Sequence, residues 1–296
     1  MPDVSRRGWL LFVALGVIWG LSYLLIRISV REVSPGTLVF LRTAPVALVL
    51  VPMVVRRGET RALLRRWREI LVYCAVELTI PWYFVSSGEQ RLSSSLTGLL
   101  IAIVPLIGVF LARLGGDEER LDRRQLVGLA VGLAGVALLV GVDVRGATAL
   151  PIAEVLLATV GYALGPRLYA HTLGGLSDLG VVAASMVVTA VAWAPVAFTH
   201  LPAHLSVEVT SSVVLLAVGP TFLGFLVFFA LISEIGPTRA TIVTYVNPAV
   251  ALLLGVAVLG EAVTVGVAVG FPLVIVGSIL ATRRRRPLAD LEPTAS

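Results

Sequence analysis

Long hydrophobic runs alternate with short polar breaks along the whole chain. The runs are about 18 to 24 residues long, the length that a helix needs to cross about 30 Å of hydrocarbon. Reading one helix into each run predicts ten spans, near residues 9–30, 36–55, 69–87, 92–114, 124–142, 150–171, 178–200, 210–233, 237–259 and 263–282. The breaks carry turn residues, such as Ser34, Pro35 and Gly36. The pattern therefore predicts an all-α membrane protein with no sizeable soluble domain.

The composition supports this prediction, since 57% of the residues are hydrophobic, 14% are charged and the mean hydropathy is +0.97. The first run follows Arg6 and Arg7, as a secretory signal would, but it continues to about Val30 and nine comparable runs follow. We therefore expect it to be retained. The single cysteine, Cys74, lies inside a predicted span, which excludes an intramolecular disulfide and a thiol metal cluster.

All 23 basic residues are arginine, and their distribution predicts an orientation. With a cytoplasmic N-terminus, the inside segments hold most of them, whereas the outside segments hold only Arg31, Arg91 and Arg145. This asymmetry predicts a multi-pass protein of the inner (plasma) membrane with both termini in the cytoplasm. It also explains the net charge of +5 without a nucleic-acid partner.

The two halves of the chain resemble each other at an offset of 143 residues, which aligns Trp19 with Tyr162, Ser34 with Ser177 and Pro105 with Pro248. Each half holds five spans, and because five is odd the second half enters the membrane in the opposite sense. We therefore predict two inverted five-helix repeats, residues 1–145 and 146–286, with a cytoplasmic tail at 287–296. Inverted repeats are typical of secondary transporters, whose halves move around a site near the midplane.

Several short motifs extend across both halves: Trp19-Gly20 with Ser22 and Tyr23, Ser34-Pro35, Leu41-Arg42, the stretch 88–95, Pro105, the stretch 236–240, Asn247-Pro248 and Gly260-Glu261. In this order and spacing the chain resembles the EamA family of the drug/metabolite transporter superfamily. It departs from the family in the acidic turn 116–119 and in Tyr162, where a tryptophan is common. The resemblance implies ten helices in two inverted repeats, a central cavity, and export or exchange of metabolites such as amino acids, or of drugs.

Two ionisable residues inside predicted spans are candidates for substrate binding or coupling. A charge in hydrocarbon costs about 2.5 to 3.5 kcal/mol on insertion scales, so such residues usually face the bundle interior. Glu77 lies about 12 Å from the cytoplasmic end of the third span. This depth suits a proton-coupled cycle or a cationic substrate, and a purely structural, hydrogen-bonded glutamate is the open alternative. Arg42 is interpreted as a partner of Glu77, as a site for an anionic substrate group, or as a structural anchor.

The remaining candidates are Trp19, Tyr23, Trp82, Tyr83, Tyr162, Tyr245 and Asn247. Aromatic rings can stack on organic cations or flat metabolites, although Trp and Tyr also anchor helix ends at the membrane interface. Asn247 precedes Pro248, which frees a backbone carbonyl within its span. We expect structural roles for Arg27 and Glu154, which lie near the outer ends of their helices. Arg27 is expected to extend its charge to the membrane surface, and Glu154 to cap a helix start.

No metal site or cofactor is expected. His200 and His204 are four residues apart, but Pro202 intervenes and no third ligand follows. P-loop, dinucleotide and hydrolase motifs are missing from the sequence, which disfavours ATP-driven transport. We therefore expect a secondary transporter rather than an enzyme, an exporter or exchanger whose partners are a small-molecule substrate and membrane lipid. Proton coupling is left open, and a membrane-embedded enzyme or a passive channel remains the alternative.

Overall fold

The computed structural model describes residues 5–114, 123–143, 149–235, 243 and 245–282. Within these ranges the regular structure is helical throughout. The helices are α1 Arg6–Ser29, α2 Pro35–Arg56, α3 Thr60–Arg65, α4 Trp67–Cys74, α5 Ile80–Gly88, α6 Ser94–Ile101, α7 Val104–Leu114, α8 Arg123–Asp143, α9 Ala149–Leu168, α10 Asp178–Thr199, α11 Val207–Leu216, α12 Gly224–Ile235, α13 Asn247–Leu259 and α14 Val265–Thr282. Three π-helical segments accompany them, Ala75–Thr79, Tyr169–Leu173 and Ala217–Leu223. The all-α class is confirmed for this part of the chain.

Seven helical runs in the described ranges are long and apolar enough to cross a membrane: Arg6–Ser29, Pro35–Arg56, Trp67–Gly88, Ser94–Leu111, Ala149–Leu173, Asp178–Thr199 and Val207–Ile235. They occupy the positions of the first four predicted spans and of the sixth to eighth. The shorter apolar helices Asn247–Leu259 and Val265–Ala281 lie where the ninth and tenth spans are predicted, and α8 lies where the fifth is. The acidic turn 116–119, Arg145, the stretch 236–240 and residues 283–296 lie outside the described residues.

The outer surface of the helices is apolar. Leu48 is 78% exposed and Phe198 is 72% exposed, and many other large hydrophobic side chains also face outwards. A protein surrounded by water rarely exposes so many large apolar side chains. These side chains are placed to contact lipid tails, which agrees with the apolar spans.

Serine side chains begin five of the helices. Ser5, Ser34, Ser93, Ser177 and Ser206 each accept a hydrogen bond from the backbone N–H three residues later. Such caps satisfy amide groups that have no partner inside the helix. The polar breaks between hydrophobic runs therefore fix where the helices start.

The third span is interrupted halfway by the π-helical segment Ala75–Thr79. Pro81 has no N–H to donate to the carbonyl of Glu77, four residues earlier, and its ring would crowd that carbonyl in a regular α-helix. Wider winding relieves the crowding, and such π-bulges often lie at functional sites. The span of α11 and α12 has a similar segment, Ala217–Leu223, which contains Pro220.

Helices α8 and α14 pack against each other in antiparallel directions through glycines. A Cβ added at Gly128 would lie 2.7 Å from the carbonyl oxygen of Gly277, and one added at Gly135 would lie 2.7 Å from that of Gly270. Only glycine permits the two backbones to approach so closely. Elsewhere α2 packs on α10, α6 on α13, α1 on α11, α12 and α13, and α9 on α5, α6 and α7.

Polar contacts join the connecting segments at each end of the bundle. At one end Arg31 forms a 3.1 Å ion pair with Glu208, and the backbone N–H of Ser206 donates to Glu32 at 2.8 Å. At the other end Arg66 donates to the backbone oxygen of Thr172 at 2.7 Å, and further side-chain hydrogen bonds join Ser5 to Glu234 and Ser177 to Glu59.

Candidate functional site

Five of the candidate residues come together between the helices. Tyr23 lies on α1, Arg42 on α2, Glu77 in the π-helical segment, Trp82 on α5 and Tyr162 on α9. Electrostatic interactions connect Arg42 to both tyrosines and connect Tyr162 to Glu77. With Glu89, described below, these side chains are called the polar cluster.

Arg42 is held from two sides. Its Nε donates to Oγ1 of Thr221 at 3.1 Å, and its guanidinium carbon lies 3.8 Å from the centroid of the Trp82 ring. The Thr221 hydroxyl in turn donates to the carbonyl of Leu216 at 2.8 Å, so its oxygen is free to accept from Arg42. Leu216 lies four residues before Pro220. Because Pro220 has no backbone N–H, it cannot donate to the Leu216 carbonyl as another residue would in a helix. Pro220, in the second half, therefore leaves this carbonyl available to Thr221. Thr221 in turn positions Arg42 of the first half.

Arg42 does not pair with Glu77. No ion pair within 4.0 Å joins these two described side chains, whereas Arg7 pairs with Glu234 and Arg31 with Glu208. Since Arg42 is only 5% exposed, its charge is buried, and Thr221 and Trp82 supply its polar and aromatic contacts. Of its interpretations, a site for an anionic group and a structural anchor remain.

The Glu77 carboxylate lies directly against α9. A Cβ added at Gly165 would overlap the carboxylate and would lie 2.9 Å from the Cβ of Glu77. Its Oε2 atom is buried without a hydrogen-bond partner in the described part of the chain. The structure therefore does not supply, at this atom, the hydrogen bond that a purely structural glutamate would need.

Glu89 is a second buried carboxylate, which the sequence analysis missed. It follows α5 and is 0% exposed, and neither carboxylate oxygen has a hydrogen-bond partner among the described residues. Its charge interacts with Arg27, Glu261 and Arg42. In the sequence it falls in a polar break, within the stretch 88–95, and no individual role was predicted for it. Val85, one helical turn earlier, is also buried, but this burial is visible only in the structure and gave the sequence no signal.

The carboxylate of Glu261, unlike that of Glu89, accepts several hydrogen bonds. Its carboxylate accepts hydrogen bonds from the backbone N–H groups of Ser94, at 2.8 Å, and Ser95, at 2.9 Å, and also from both serine hydroxyls. A carboxylate at a helix start is stabilised by the unpaired amides and by the helix dipole. Glu261 therefore anchors the segment after α13 to the start of α6.

The two residues expected to have structural roles contact the end of α5. Arg27 donates to the backbone oxygen of Glu89 instead of extending freely to the membrane surface. Glu154 accepts from the hydroxyl of Ser87 at 3.1 Å. Since α9 begins at Ala149, Glu154 lies beyond the first turn and does not cap its own helix.

Other candidates pack elsewhere. Trp19 contacts the rings of Phe225 and Phe228, and Tyr83 stacks on Trp193 with ring centroids 4.5 Å apart. Asn247 begins α13, is 8% exposed, and has an Oδ1 atom without a hydrogen-bond partner in the described ranges. Tyr245 is partly buried two residues earlier. In the described part of the chain, no three His, Cys, Asp or Glu side chains gather where they could hold a metal ion.

Comparison with known proteins places the chain among transporters. It is 28% identical, over 84% of its length and 81% of the relative's, to the uncharacterized inner membrane transporter YedA of Escherichia coli strain K12. It is 29% identical, over 95% of both chains, to a probable terminal-alkyne amino-acid exporter of Streptantibioticus cattleyicolor. A protein of known crystal structure has the same fold, with a TM-score of 0.63 at 22% identity, over 93% of this chain and 96% of the other.

The family comparison covers nearly the whole chain. The profile of the EamA-like transporter family matches residues 6–141 and matches again at residues 150–283. Together with the apolar spans and an inner membrane relative, this match identifies a multi-pass inner membrane protein. The chain belongs to the EamA-like transporter family.

Proposed function

We propose that this protein is a secondary transporter that exports or exchanges small metabolites or drugs by alternating access. The observation that carries the proposal is the contact between Arg42 and Thr221, which joins the two halves at the polar cluster. Arg42 belongs to the first half and Thr221 to the second, so a movement of one half against the other changes the site directly.

We further propose ten spans in two inverted five-helix repeats. The contacts of Gly128 with Gly277 and of Gly135 with Gly270 support this division. One extra residue near Glu119 changes the offset between the halves from 143 to 142, so Gly128 corresponds to Gly270 and Gly135 to Gly277. Exchanging the halves therefore converts one contact into the other. Two separate matches to the family profile, one in each half, also support it.

Other helix pairs support the same symmetry. Helices α1 and α9 begin the two proposed repeats. In the first pair of matching contacts, α1 packs on α11 and α12, and α9 packs on α5. In the second pair, α1 packs on α13, and α9 packs on α6 and α7. The π-helical segments Ala75–Thr79 and Ala217–Leu223 also occupy corresponding positions. Such a pseudo-two-fold arrangement gives the two access states similar geometry and is typical of transporters that work by alternating access.

The orientation that we propose has both termini in the cytoplasm. The arginine asymmetry is its main support. The polar contacts between connecting segments agree with it, because each joins segments that the ten-span topology puts on the same side. Arg31 and Glu208 are both outside in this topology, and Arg66 and Thr172 are both inside.

Glu77 is proposed to couple transport to protons. Its mid-span position, the π-helical segment around it and its unpaired Oε2 atom support this role. Small metabolites that include amino acids are the proposed substrates, since one relative is a probable exporter of an amino acid.

Countertransport in proteoliposomes tests the proposal. A growth-rescue screen over amino acids, organic cations and nucleosides first supplies a substrate. Uptake of the labelled compound should then accelerate when the same unlabelled compound is inside, and Arg42→Gln should abolish that uptake. Arg68→Gln, a change at an exposed arginine remote from the polar cluster, is the matched control and should leave uptake intact. Flux without trans-stimulation would indicate a channel, and chemical alteration of the compound would indicate an enzyme.

A further inference from the structure

The segment between the second and third spans lies at the membrane surface. The span Pro35–Arg56 ends where this segment begins, and the span Trp67–Gly88 starts where it ends. Residues 56–67, called the basic connector, contain five arginines and one glutamate. The short helix α3 lies within them. Because both neighbouring spans end here, the connector lies at the level of the lipid headgroups.

One side of the basic connector is fixed to the second half of the chain. Leu63 is buried and packs in a core that includes residues of α10. Arg66 donates to the backbone oxygen of Thr172 at 2.7 Å, and Glu59 accepts from the hydroxyl of Ser177. These three contacts leave the connector little freedom to turn about its own axis. The opposite side therefore faces away from the protein.

The opposite side combines arginines with exposed apolar side chains. Arg61 and Arg65 are one helical turn apart on α3, and Leu64 lies beside them on the same face. Leu64 is 67% exposed, and the neighbouring Trp67 is 52% exposed. No ion pair within 4.0 Å joins Arg57, Arg61 or Arg65 to a carboxylate in the described part of the chain. Positive charge and apolar surface therefore lie side by side, open to an external partner.

We propose that this side of the basic connector binds the headgroup of an anionic phospholipid in the adjoining leaflet. A guanidinium group binds phosphate oxygens through two parallel hydrogen bonds, which suits Arg61 and Arg65. Trp67 and Leu64 then contact the upper part of the acyl chains, where such side chains are stable at a membrane interface. An anionic lipid satisfies both parts of the surface, whereas a soluble phosphate satisfies only the arginines.

The net charge of the lipid decides the preference. Phosphatidylcholine also has a phosphate, but its choline group carries a compensating positive charge, whereas phosphatidylglycerol has no such group. Attraction of anionic lipid changes the affinity about 5-fold for each arginine near the surface, so two arginines account for about 30-fold. Salt screens this attraction, since the Debye length falls from about 10 Å at 0.1 M to about 3 Å at 1 M.

Fluorescence quenching by brominated lipid tests the inference. The purified full-length protein is reconstituted in phosphatidylcholine vesicles that contain an equal fraction of either brominated phosphatidylglycerol or brominated phosphatidylcholine. The signal of Trp67 is the difference between the unmodified protein and Trp67→Phe, which removes one of the five tryptophans. We expect brominated phosphatidylglycerol to quench Trp67 more strongly than brominated phosphatidylcholine, and about 1 M salt to remove the difference. Equal quenching by the two lipids at low salt would overturn the proposal.

Two double variants locate the site. Arg61→Gln with Arg65→Gln should lower the preference for phosphatidylglycerol at Trp67 by up to about 30-fold. Arg123→Gln with Arg124→Gln removes the same charge from exposed positions at the start of α8 and should leave the preference unchanged. A similar loss in both double variants would indicate general attraction by arginines instead of a site at the connector, and would also overturn the proposal. If the variant at Arg61 and Arg65 does not fold, the comparison of the two lipids on the unmodified protein still decides.

Discussion

Adding one methyl group at the glycine contact between α8 and α14 should destabilise the fold by a measurable amount. In Gly277→Ala the new Cβ would lie 2.6 Å from the carbonyl oxygen of Gly128, and backbone atoms of Gly132 are also within contact. An ordinary contact is about 3.5 Å, so the two helices must separate by roughly 1 Å. Overpacking of this kind costs about 1 to 3 kcal/mol. Backbone atoms cannot rotate away as a flexible side chain would.

The chain offers its own probe of unfolding. Cys74 is the single cysteine, and it is 0% exposed. A thiol-reactive fluorophore therefore reacts only when the protein unfolds, and its signal during heating reports the melting temperature. A loss of 1 kcal/mol lowers the melting temperature by about 2 to 4 °C in chains of 150 to 250 residues, so we expect a decrease of several degrees for Gly277→Ala.

Two comparisons make this prediction specific. Gly108→Ala is the matched control, because a Cβ added there meets no atom within 4 Å and alanine favours the helix. Gly135→Ala should lower the melting temperature about as much as Gly277→Ala, since the proposed repeat makes the two positions equivalent. If Gly277→Ala melts at the same temperature as Gly108→Ala, the close crossing is wrong. A large effect at Gly277 with none at Gly135 would contradict the proposed symmetry.

Three further predictions concern orientation, coupling and pH. A phosphatase that is active only in the periplasm should be inactive when fused after Arg286; activity there would reverse the proposed orientation. Glu77→Gln should insert and exchange substrate normally but should lose acceleration by a pH gradient, measured in proteoliposomes; unchanged pH dependence would exclude the coupling role. The backbone N–H of Ser206, with its hydroxyl, lowers the pKa of Glu32 below its ordinary value. Because the pKa of Glu32 is lowered in the folded state, its contact with Ser206 stabilises the fold near neutral pH. This stabilisation is lost as the pH falls through the folded-state pKa. Glu32→Gln should therefore show a smaller decrease in melting temperature on acidification than the unmodified protein, and an equal decrease would refute the assignment.

The sequence by itself determined the helical spans. Runs of apolar residues long enough to cross the membrane form helices because the bilayer core offers no other partner to the backbone. The polar breaks end them through local chemistry, as Ser34 and Ser177 show by capping the helices that follow. These are short-range effects, so residue order was sufficient. The same holds for Glu77, whose depth could be counted along its run.

Only the tertiary structure decided which polar groups have partners. Glu89 and Glu261 both lie in polar breaks, and nothing in their neighbouring residues distinguishes them. Glu261 accepts hydrogen bonds from the start of α6, more than 160 positions away in the chain, whereas Glu89 is buried without any for its carboxylate among the described residues. In the same way, Arg42 is held by Thr221 and not by Glu77. Burial and hydrogen bonding depend on which distant segments meet, and that is decided by the packing of whole helices rather than by local pattern.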